Sequence, residues 1–150
     1  MRQSRLILFT KYFLDFMFWS GIVAVAALPY ILKLAGTYYF DDFREHYYFM
    51  LIILFISGMC GIIIVYQLRK MMKSVVKKDC FIIENIRSLK VMGHTAFVIA
   101  VMFVVKVIVL PAPAGFVIIL TFFIAGIFSH VLSLVFEEAV RYKEENDLTI

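Results

Sequence analysis

The chain has 150 residues, 63% of them hydrophobic and 17% charged, with a formal net charge of +4 and a mean hydropathy of +0.94. A soluble fold of this size cannot bury so much apolar surface, which excludes an ordinary water-soluble enzyme or binding domain and makes lipid part of the solvent. A span needs about 20 apolar residues to cross a hydrocarbon core of roughly 30 Å, and four such segments fit into the chain.

The first apolar stretch, about 12–35, follows Arg2, Arg5 and Lys11 and precedes a polar segment from Gly36 to His46. Ala24-Val25-Ala26 has the small-x-small form of a leader cleavage site. The apolar run continues past it to Ala35, however, and Asp15 interrupts the would-be leader core, so the segment reads as a span. Pro29 is expected to loosen its outer turns. The second span, about 47–66, opens on the aromatic group Tyr47, Tyr48 and Phe49, which suits a membrane interface. Within it Ser57 and Gly61 form a small-xxx-small patch, read as a packing position inside the monomer.

The segment 67–90 is the longest polar stretch. Leu68, Met71, Met72, Val75 and Val76 recur at helical spacing, while Arg69, Lys70, Lys73, Lys77 and Lys78 take the other positions, so an amphipathic helix with a basic face is expected. After a break near Asp79 and Cys80, with Asp79 as N-cap, a second stripe of Ile82, Ile86, Leu89 and Gly93 leads into the next span. This hairpin can lie on the inner leaflet against anionic lipids. Alternatively it extends the flanking spans as a protruding antiparallel pair whose methionine-containing seam docks a partner helix. Direct nucleic-acid binding lacks any accompanying motif.

The third span, about 91–110, and the fourth, about 114–136, are joined by Pro111-Ala112-Pro113-Ala114-Gly115, so they are expected to be antiparallel neighbours. Ala125, Ser129 and Ser133 give the fourth span a face of small side chains for close packing. The tail 137–150 continues that helix, with Glu137, Arg141 and Glu145 spaced for internal ion pairs. Its acids Glu137, Glu138, Glu144, Glu145 and Asp147 can meet the basic loop or a basic partner, leaving Leu148-Thr149-Ile150 as a short apolar hook.

Lys33, Arg44 and Lys106 are the only cations on one side of this layout; all the others fall at the termini and in the 67–90 loop. The reading is an all-α integral membrane protein, a single domain of four transmembrane helices, and the positive-inside rule predicts both termini and the hairpin in the cytoplasm. Polar residues within the spans are site candidates by default. Asp15, His94 and His130 all fall in the inner leaflet and form either a proton- or ligand-sensing cluster or three separately satisfied side chains. No Walker, Rossmann, HExxH, CxxC or GxSxG pattern is present, and Cys60 and Cys80 stand apart, so no enzyme, cofactor or metal is expected.

The segment LRKMMKSVVKKDCF, the pair Glu84-Asn85 followed by Leu89 and Gly93, and the closing residues Lys143 to Ile150 carry a resemblance. By these features the chain resembles a family of small four-helix bacterial membrane proteins catalogued as domain of unknown function 2975. Members often carry proline before the loop phenylalanine, where Cys80 stands here. The resemblance implies no activity. It implies, through frequent encoding beside small helix-turn-helix regulators, a membrane module that binds or sequesters such a cytoplasmic partner. The docking surface would comprise Arg69, Lys70, Met71, Met72, Lys73, Lys77, Lys78, Glu84, Asn85, Glu137, Glu144, Glu145, Asp147, Leu148 and Ile150. The alternative is a small transporter or channel-like protein, to which the acid in the first span points.

Overall fold

The computed structural model describes residues 2–38 and 45–148; Asp41, Asp42, Arg44 and Ile150 lie outside the described residues. Those described form five helices: α1 (Arg2–Ala26), α2 (Leu28–Tyr38), α3 (Tyr47–Val76), α4 (Ile83–Val109) and α5 (Pro113–Leu148). Ser4–Ala26 and all of α3, α4 and α5 are long and apolar enough to cross a membrane.

Helices α1 and α2 form one kinked rod that starts ten residues before the expected span. The backbone bonds Ala27 N–H to Val23 O (2.9 Å) and Ile31 N–H to Ala27 O (3.0 Å) bracket the bend. Pro29 between them has no N–H to give Val25, so the ladder loses a rung there and the helix turns.

Helix α3 runs unbroken from the second span through the basic segment. Its 30 residues come to about 45 Å at 1.5 Å per residue, well beyond a hydrocarbon core of roughly 30 Å. No breaker interrupts Gln67 to Val76, and lysine, arginine, methionine and leucine are good helix formers. Lys78 then adopts the left-handed conformation at φ 61°. Its N–H reaches Val75 O (3.0 Å) while the N–H of Asp79 reaches Ser74 O (3.1 Å), the paired bonds of a Schellman stop.

The expected Asp79 N-cap is not formed. Helix α4 begins three residues later, with extended Ile82 at the cap position and no side-chain cap. Asp79 is engaged by the tail instead, and the start of α4 is held by Asn85. Its side-chain amide donates to Ser74 Oγ (2.7 Å) and to Cys80 O (2.6 Å).

The four rods form an open row. Helix α3 packs on α1 and α2, α4 on α3, and α5 on α4; among the described residues no backbone of α1 or α2 approaches α4 or α5, nor does α3 approach α5. Lipid tails are as apolar as leucine, so nothing drives the row to close, and close contact is confined to seams where small residues allow it. On the α4–α5 seam the buried small residues of α5 are Gly115, Gly126, Ser129 and Ser133; the expected Ala125 is exposed. A side chain on Gly126 would sit 2.7 Å from the Phe97 ring. On the α1–α3 seam Ser57 is buried and Gly58 faces Val25, whereas Gly61 meets nothing within 4 Å.

Candidate functional site: a strapped charged head

Beyond Tyr66 on α3, before Val91 on α4 and after Phe136 on α5, the helices continue as an amphipathic head rich in charged residues. The head is fastened at three levels. At its tip Lys143 Nζ meets Asp79 Oδ1 at 2.6 Å, tying the tail to the α3–α4 link. This bond to Asp79 raises the Lys143 ammonium above its ordinary value, helped by the charge of Asp79 and of Asp147. Below it the rings of Phe81 and Phe136 meet edge to face at 5.2 Å. Nearest the spans Lys90 Nζ binds Glu137 Oε1 at 2.9 Å.

Of the five tail acids expected to meet the basic loop, Glu137 alone does so among the described residues, at Lys90; the second tie has the opposite polarity, a tail cation, Lys143, on an acid of the link, Asp79. The expected Glu137–Arg141 pair is replaced by Arg141 with Glu138 at 3.3 Å, because Glu137 turns inward to Lys90. Glu144, Glu145, Asp147 and Leu148 are exposed, as are Lys70, Lys73, Lys77, Lys78 and Glu84. Met71 and Met72 are half-buried, and Asn85 is buried as the lock of the link. Val76, Phe81 and Ile83 leave substantial apolar surface in water's reach around the tip. A groove of about 430 Å³ runs between α4 and α5, floored by Ile83, Ile86 and Val140 and rimmed by Arg87, Lys90, Arg141, Glu137 and Glu144.

The three intramembrane candidates divide. His94 Nδ1 and His130 Nε2 lie 3.1 Å apart across the α4–α5 seam. The His130 ring stacks on Phe97, with centroids 5.5 Å apart, and lies against Gly93, where a Cβ would sit 2.7 Å from the ring. Asp15 does not join them, since α1 reaches only α2 and α3. Its Oδ1 accepts from Arg69 Nε at 2.7 Å, and the guanidinium lies 4.5 Å from the centre of the Phe18 ring. Sequence reasoning missed this pair although both members were singled out separately. The available signal was that a carboxylate near the edge of a span needs a cation on a neighbouring helix. It also missed Ser74 and Ser88, both buried. No group of three or more His, Cys, Asp or Glu side chains among the described residues is arranged to hold a metal ion.

Four membrane-length apolar helices carrying a charged helical head at one end define a multi-pass membrane protein. A family model described as "Protein of unknown function (DUF2975)" matches residues 33–150, and the chain belongs to that family. No curated protein and no solved structure is similar to it.

Proposed function

We propose that the protein is a non-catalytic module of a bacterial cytoplasmic membrane, with both ends and the head inside, whose head binds or sequesters a cytoplasmic partner. The observation that carries this reading is the continuation of α3, α4 and α5 beyond their spans into a strapped head. Helix α5 alone, at 36 residues and about 54 Å, is far longer than a bilayer core requires. A helix that served only to cross lipid would end at the interface. Here the extension displays lysines that form no ion pair among the described residues, beside exposed Val76, Phe81 and Ile83. That combination fits an amphipathic partner helix with an acidic rim. A small helix-turn-helix regulator is the partner proposed, from the gene neighbourhoods common in the family, and anionic inner-leaflet lipids would meet the same lysines when it is absent.

Transport draws less support, because Asp15 is paired with Arg69 near the head and the described helices form an open row. The test is co-purification of a helix-turn-helix regulator with the detergent-solubilised full chain, and its loss in the charge-reversed Lys73→Glu, Lys77→Glu variant. A wild-type chain that retains no such regulator refutes the reading.

A further inference from the structure

The α3 and α4 spans meet the head at about Tyr66 and Val91, so the residues just beyond these positions lie at the level of lipid headgroups. Between the two helices at that level is a cleft of about 100 Å³ lined by Gln67, Lys70, Glu84, Arg87, Ser88 and Val91. It has room for a phosphate group and none for an acyl chain. Lys70, Glu84 and Arg87 are exposed, and none forms an ion pair among the described residues. The Lys70 ammonium lies 5.6 Å from the centre of the Tyr66 ring, at the membrane end of the cleft. Ser88 is buried as a residue, with its unpartnered hydroxyl at the open wall of the cleft. The cleft thus offers two cations, one carboxylate and one free hydroxyl donor within the space of a single headgroup.

We infer that this cleft holds the headgroup of a lipid with a phosphodiester and a primary amine, of the phosphatidylethanolamine type. The two cations take phosphate oxygens, and Ser88 donates to one of them. Glu84 accepts from the headgroup ammonium. The carboxylate decides the class. A wholly anionic headgroup leaves Glu84 repelling its neighbour, and a choline headgroup has no N–H to donate. The cleft lies below the tip and shares Arg87 with the groove between α4 and α5; because lipid is titrated onto the purified chain with no protein partner present, this assignment and the partner proposed above fail separately.

The experiment is native mass spectrometry of the full chain released from detergent, titrated with phosphatidylethanolamine, phosphatidylglycerol and phosphatidylcholine of identical acyl chains. The expected result is an ethanolamine lipid bound about tenfold more tightly than either of the others, as the loss of one charge-assisted bond would give. Glu84→Gln removes the preference over phosphatidylglycerol, while Ser88→Ala and Arg87→Gln weaken all phospholipids together. Equal binding of the three lipids by the wild-type chain, or a preference unchanged in Glu84→Gln, overturns the assignment. Displacement of the lipid by millimolar inorganic phosphate overturns it too, making the cleft a site for soluble phosphate. Glu84 is exposed, so its variant folds and reports even if a substitution of Arg87 does not.

Discussion

Asn85 shows how one polar side chain can fix a turn. Its amide spends both hydrogens on the α3–α4 link, one on Ser74 Oγ and one on Cys80 O, and the residue is 2% exposed. Asn85→Ala leaves a buried hydroxyl and a carbonyl without their donor, and is expected to lower stability by about 2–4 kcal/mol, read as a fall in the thermal midpoint in detergent. Lys78 is the opposite case, a lysine in a conformation that glycine adopts without strain. Lys78→Gly is expected to stabilise by up to about 1 kcal/mol, seen as a rise in the same midpoint. Two further glycine positions separate packing from mere composition. Gly93→Ala pushes the His130 ring off Phe97 and out of its bond with His94, for a loss of about 1–3 kcal/mol, whereas Gly61→Ala meets open space and leaves the midpoint unchanged or slightly raised.

Among the elements, the long helices α3 and α5 unite what hydropathy divides. The sequence pattern separates a span at 47–66 from an amphipathic helix, yet the backbone is one rod to Val76, since a change from leucine to lysine alters the solvent a helix prefers and not its hydrogen bonds. The strap from Lys143 to Asp79 then decides whether the α3–α4 link is covered. Because the folded state raises the Lys143 value, its contribution is complete below the ordinary value of 10.5 and fades only as pH climbs through the raised one. The ammonium of the strap therefore keeps its charge at physiological pH. Lys143→Ala is expected to speed the reaction of half-buried Cys80 with a thiol reagent severalfold at neutral pH, with no change in helix content by circular dichroism. An unchanged labelling rate would mean that the strap does not cover the link.

At the scale of the whole molecule, the row makes distinctive proximities. With Cys60 and Cys80 replaced by serine, Gly21→Cys paired with Ile62→Cys is expected to form a disulfide, since a Cβ on Gly21 lies 3.4 Å from the Ile62 side chain. Phe16→Cys with Leu120→Cys is expected to form none within one chain, because α1 and α5 lie at opposite ends of the row. Sidedness is checked at Lys77, which is exposed; a cysteine at Ser74 would be shielded by Asn85. Lys77→Cys in intact cells is expected to resist a reagent that cannot cross the membrane, and to react in inverted vesicles. Reaction in intact cells would put the head outside and remove the docking proposal.

What the sequence by itself determined is the number of membrane-length apolar helices and the helical character of the basic segment and tail. Hydrophobic length and 3.6-residue periodicity are properties of one segment at a time, and lipid enforces both. The family resemblance was equally legible, because it rests on the linear motif from Leu68 to Phe81 and on the closing residues. Only the tertiary structure decided which polar residues meet. The rotation of each helix about its axis put Asp15 against Arg69, joined His94 to His130, turned Glu137 toward Lys90 and set Ser88 in the wall of the α3–α4 cleft. Rotation is fixed by side-chain packing between helices, and a residue's position in the chain carries no direct record of it. The open row was hidden for the same reason, since each helix is apolar enough on every side to face either a neighbour or lipid.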